Sequence, residues 1–178
     1  MSKITKISLL LNFLFKSLII SYPAIIICMW FGLIAIPSGL FAFSRLPIVI
    51  DFSELEPSIQ LAGCAIQVLS AIATIMGFYY LSQLFTLYSK NIIFSLRNML
   101  LIRKIGYTFV AQVLVSIMIT QPLLSFVLTK DAIPGQRFIS SGVGSDEISN
   151  LLIAGIVILI SWIMAEGRKL ADEQALTI

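Results

Sequence analysis

The chain has 178 residues, 58% hydrophobic and only 12% charged, with mean hydropathy +1.01 and a formal net charge of +3. Soluble domains carry about 25% charged residues, so this composition excludes a water-soluble globule, and the length holds one domain with no separate soluble one. Histidine is absent, which removes the commonest metal ligand and the usual proton shuttle at neutral pH.

Four uncharged apolar runs follow one another, each bounded by charged residues: Ser17–Ser44, Pro57–Ser89, Ile105–Thr129 and Ile148–Ala165. A hydrocarbon core about 30 Å thick needs about 20 residues of helix, with a working range of about 17–25; all four runs reach it, and the first two exceed it enough to hold a helix plus some connecting chain. The expected fold is all-α and integral to the membrane, a four-transmembrane-helix bundle forming a single domain over 1–178. The spans are expected at 18–42, 58–88, 105–128 and 148–166.

The chain opens on an amphipathic stretch, in which Ile4, Ile7, Leu10, Leu11 and Leu14 recur at helical spacing beside Lys3, Lys6 and Lys16. It is expected to lie partly in the interface and to feed an uncleaved first span, too long for the apolar core of a secretory signal. Pro23 and Pro37 limit the regular part of that span, and Pro37-Ser38-Gly39 reads as its exit. The loop at 45–56 contains the β-prone run Ile48–Phe52, and the later loop contains Arg137–Ser140. The two runs lie on the same side of the membrane and are placed to pair as a small extracytoplasmic β-ribbon.

Span two carries the clearest interior face. Gln60, Gly63, Gln67, Ser70, Thr74 and Gly77 alternate at spacings of 3 and 4, which keeps them on one side of a helix. Small and hydrogen-bonding residues let membrane helices approach closely, so this stripe is expected to be a polar seam inside the bundle. Span three has a counterpart in Thr108, Gln112, Ser116 and Thr120. A functional variant of the same pattern makes Gln67, Thr74, Gln112 and Ser116 the lining of a solute path. Span four is short and has one polar residue, Ser161, between Leu151 and Ala165, with Trp162 as an interfacial anchor. Cys28 and Cys64 fall inside apolar runs and read as small packing residues; their pairing stays open, and their spacing fits no zinc site.

Between spans two and three, Ser95 is suited to cap a helix, and 95–104 is expected as a cytoplasmic interfacial helix. Arg97, Asn98, Arg103 and Lys104 from this segment, with Glu166 and Glu173 from the tail, are the candidate partner-docking residues. Counting Lys and Arg alone, nine fall on one side (Lys3, Lys6, Lys16, Lys90, Arg97, Arg103, Lys104, Arg168, Lys169) and three on the other (Arg45, Lys130, Arg137). Both termini are therefore expected in the cytoplasm. No Lys/Arg block of nucleic-acid type exists, so no direct nucleic-acid binding is expected.

Two cytoplasmic stretches carry a family likeness. The pattern Leu84-Phe85, Leu87-Tyr88, Ile93-Phe94-Ser95, Asn98 and Ile102–Gly106, with the ending Glu166-Gly167, Leu170, Glu173-Gln174 and Leu176-Thr177-Ile178, resembles domain-of-unknown-function family 2975. The likeness implies a four-span protein of the bacterial inner membrane with no established activity, often accompanied by a small helix-turn-helix regulator. It assigns no residue a role.

No Asp, Glu, Lys or Arg lies inside the four runs, whereas proton pumps and ion-coupled transporters keep an ionisable group within the bilayer. No nucleotide-binding, nucleophile or metalloprotease motif is present, and no metal or cofactor is expected. The expected function is non-enzymatic: a partner-binding or regulatory module that presents the inner loop and the tail to a protein at the cytoplasmic face. The alternative is an oligomeric transporter or channel component for an uncharged or lipophilic small molecule. Besides the lipid bilayer, a homo-oligomer is the remaining expected association.

Overall fold

The computed structural model describes residues 3–33, 55–92, 95–130 and 139–175. The described chain is helical: α1 (Lys3–Trp30), α2 (Pro57–Ser89), α3 (Leu96–Val115), a π-helical turn (Ser116–Thr120), α4 (Gln121–Leu128) and α5 (Ser145–Ala175). With α3, the π-turn and α4 counted as one helix, four helices are long and apolar enough to cross a membrane. A helix keeps every backbone donor and acceptor satisfied within its own segment, which the lipid core demands.

The helices stand in a row in chain order. α1 packs on α2, α2 on α3 and α4, and α3 on α5. Successive helices run antiparallel: Asn12 meets Ser82 and Trp30 meets Gln67, while Ser161 near the end of α5 meets Met99 near the start of α3.

Helix ends are set by local chemistry. α1 stops where Gly32 takes φ 68°, with its N–H on the Met29 carbonyl (3.1 Å) and the Leu33 N–H on the Cys28 carbonyl (2.9 Å). α2 stops in the same way at Asn91, φ 58°, with Asn91 N–H on Tyr88 and Ile92 N–H on Leu87. Both are Schellman closures, which need a left-handed residue that glycine and asparagine tolerate. Ser95 caps α3 as its sequence suggests, its side chain accepting the Asn98 N–H at 3.2 Å.

Several boundaries differ from those read along the sequence. The first helix runs from Lys3 to Trp30 and exits at Gly32; the expected exit at 37–39 lies outside the described residues. The N-terminal stretch is part of this same helix. Thr5, Ser8, Asn12, Phe15, Ile19, Tyr22, Ile26 and Met29 recur at spacings of 3 and 4, and Thr5 and Ser8 are buried. That heptad stripe faces α2, where Thr5 donates to Asn91 Oδ1 (3.3 Å) and Phe15 stacks on Phe85 at 5.7 Å. Residues 96–104 likewise form the first turns of α3 and run unbroken into the span.

Among the described residues there is no strand. The runs 48–52 and 137–138 lie outside the described residues, and Ile139 and Ser140 are neither helix nor strand. Of the later run, the Ser140 N–H is committed elsewhere. Ser140 N–H goes to Ser125 Oγ at 2.9 Å and Gly142 N–H to Gln121 Oε1 at 2.9 Å, so this chain is tied to α4.

The π-turn lies just before Pro122. Proline lacks an N–H and its ring crowds the carbonyl four residues back, so the helix widens there. The Ile117 carbonyl in that widened turn accepts from Ser141 Oγ at 2.8 Å.

Candidate functional site

One end of the molecule gathers most of its charge. Lys3 and Lys6 begin α1, Lys90 follows α2, Arg97 opens α3, and Arg168 and Lys169 lie near the end of α5. α5 is level with Met99 of α3 at Ser161. From there it continues 14 residues to Ala175, whereas α3 has only three residues beyond Met99. At 1.5 Å per residue the end of α5 overreaches the start of α3 by about 16 Å.

The six candidate docking residues divide into two groups. Arg97, Lys104, Glu166 and Glu173 are exposed, and Glu173 forms an i,i+4 pair with Lys169 at 4.0 Å. Exposed pairs of this kind contribute about 0.3–0.5 kcal/mol. Asn98 is fully buried, so it offers no surface to a partner. Its Nδ2 donates to the Ile92 carbonyl at 2.7 Å, which ties the α2 exit to the α3 start. Arg103 is half-buried, with Nε 3.4 Å from Ser161 Oγ. Ser161 has no exposed surface and donates to the Met99 carbonyl at 3.1 Å. Asn98 and Arg103 thus shape the surface that Arg97, Lys104 and the α5 tail present.

The seam residues of α2 face two different neighbours. Gly63 lies directly beneath the Trp30 indole, and Gln67 accepts the Trp30 Nε1–H. Thr74 shares a side-chain hydrogen bond with Tyr22. These three meet α1. Ser70 accepts from Thr120 Oγ1 in the π-turn at 2.8 Å, and Gly77 abuts Thr108 of α3. Gln60 and Gln112 are half-buried, and Ser116 Oγ accepts from Gln121 Nε2 at 3.3 Å. Gln67, Ser70, Thr74 and Ser116 are thus committed to hydrogen bonds within and between the helices.

The opposite end carries a polar cluster absent from the sequence reading. Glu147, 7% exposed, accepts from Gln121 Nε2 at 2.9 Å through Oε1 and from the Gly144 N–H at 2.8 Å through Oε2. Gly144 precedes the first turn of α5, so Glu147 makes the returning half of a capping box. Gln121 in turn accepts the Gly142 N–H. The visible signals were Glu147 three residues after Gly144, and Pro122 beside Gln121. Trp30 and the Thr5–Ser8–Asn12 stripe were also missed; their 3–4 spacing was present but was masked by the leucines around it. Among the described residues, no group of three or more His, Cys, Asp or Glu side chains is placed to hold a metal ion.

Comparison with known proteins gives one family match, described as "Protein of unknown function (DUF2975)", over residues 14–178. Neither a curated protein nor a solved structure matches the chain.

Proposed function

The chain belongs to the DUF2975 family, and from that premise we propose that it is a non-enzymatic, multi-pass module of the bacterial inner membrane that binds a protein at its cytoplasmic face. The observation that carries this reading is the shared end of α3 and α5. Arg97 is exposed there, and Glu166 and Glu173 are exposed on the α5 tail that overreaches it. A rigid helix projecting past the bilayer boundary, with charges of both signs, suits orientation-specific docking. The bias of Lys and Arg towards this end supports placing both termini in the cytoplasm. Commitment of Gln67, Ser70, Thr74 and Ser116 to hydrogen bonds supports reading them as packing groups rather than as the lining of a solute path.

Photo-crosslinking from positions 97 and 173 in native membranes tests the reading. One discrete protein adduct at both positions is expected, and Arg97→Glu should remove the adduct formed from position 173. Adducts at neither position, with full expression of the protein, would overturn it.

A further inference from the structure

Between α2 and α3 runs an open apolar groove of about 500 Å³, within the range of small-molecule sites. No α1 or α5 residue lines it. Small residues line it from both helices, Ala73 on α2 and Ala111 on α3, among the larger Met76, Tyr80 and Tyr107. Gly77 supports this close approach, since a Cβ there would stand 3.2 Å from Thr108 Oγ1. Met76 and Tyr107 are about half exposed, so the groove opens outward to the lipid.

The groove is uncharged along its length and ends at one cation. Lys104 lines it and is the last charged residue before the apolar run that starts at Ile105. Its Nζ lies 5.4 Å from the centre of the Tyr80 ring, which holds the ammonium near the mouth. The groove therefore joins an apolar trough to a single positive group at one end. From Lys104 to Val115, both lining residues, α3 rises about 16 Å, and one leaflet of a 30 Å core is about 15 Å deep. Arg97 lies seven residues earlier on the same helix face, also exposed.

We propose that the α2–α3 groove is a binding site for an anionic phospholipid, with one acyl chain between Ala73 and Ala111 and the headgroup phosphate at Lys104. Charge selects the occupant. A zwitterionic lipid carries a cation beside its phosphate that offsets the attraction to the ammonium, and an apolar helix of a second copy would bring Lys104 no anion. Basic pockets at the cytoplasmic ends of membrane helices recognise anionic headgroups by this combination. The site shares Lys104 with the candidate docking residues, but it takes a lipid rather than a protein and is read on the purified chain with no partner present.

Native mass spectrometry of the purified full chain tests it, with phosphatidylglycerol and phosphatidylcholine of identical acyl chains at equal concentration. At low salt, phosphatidylglycerol should be retained about fivefold over phosphatidylcholine. Lys104→Gln should abolish that preference, while Lys6→Gln, also at an exposed lysine, keeps it. Filling the groove with Ala111→Phe or, separately, Ala73→Leu should remove the bound lipid and leave the lysine in place. Equal retention of the two lipids would overturn the proposal. So would a preference surviving Lys104→Gln and both filling variants, or a lipid-free dimer that those variants split.

Discussion

The contact of Trp30 with Gly63 predicts a large effect from the smallest side-chain addition. Trp30 has no exposed surface, its ring covers Gly63, and its Nε1 donates to Gln67 one turn further along α2. A methyl group in Gly63→Ala would occupy space the indole fills. Trp30 is the last residue of α1 and Gly63 lies near the start of α2, so relief requires moving this end of α1 away from α2 or turning the indole. Overpacking of this kind costs about 1–3 kcal/mol. Displacing the indole also loses a hydrogen bond of about 0.6–1.7 kcal/mol in a membrane setting. Together these predict a destabilisation of about 2–5 kcal/mol. The assay is SDS titration in mixed micelles, followed by circular dichroism. In a Trp162→Phe background, fluorescence then comes from Trp30 alone, because the chain has two tryptophans. Gly63→Ala should lower the midpoint and open Trp30 to aqueous quenchers. Gly155→Ala is the control, since nothing lies within 4 Å of a Cβ there; it should hold or raise the midpoint by the helix preference for alanine. Trp30→Phe should absorb part of the Gly63→Ala penalty in a double-mutant cycle. Equal midpoints for the two alanine variants, or zero coupling in the cycle, would refute the packing argument.

Gln121→Leu removes the amide that bridges Glu147 and the Gly142 N–H. Loss of a hydrogen bond to a buried carboxylate predicts about 1.5–3 kcal/mol in the same titration, together with faster amide exchange at Gly142. Asn91→Gly should be tolerated, whereas Asn91→Val forces a β-branched residue to φ 58° and should cost at least about 1 kcal/mol. Ser161→Ala deletes the bond to the Met99 carbonyl, and a loss of about 0.6 kcal/mol is expected, rising to about 1.7 if Arg103 is also released. A larger loss on Leu159→Ala, at an exposed site on α5, would argue against Ser161 as the anchor.

Membrane insertion, the number of crossings and the inward-facing stripe of α2 were legible from the amino-acid order. They depend on local properties: an uncharged length sufficient to cross hydrocarbon, and a 3–4 repeat of small and polar residues. The Ser95 cap was legible for the same reason. Helix exits were harder to read. Pro37-Ser38-Gly39 drew attention by composition, while α1 closes at Phe31-Gly32, where a left-handed residue lets two terminal carbonyls find donors. Pairing between distant segments belonged to the tertiary structure alone. The stripe on α2 announces an interior face but not its neighbours; folding gives Gly63 and Gln67 to α1, and Ser70 and Gly77 to the third helix. Asn98 and Glu147 show the same limit. Each reads as a solvent-facing polar residue, and each is buried because its hydrogen-bond partners arrive from other segments. Periodicity carries which side of a helix is polar, whereas the partner depends on which helices the loops bring side by side.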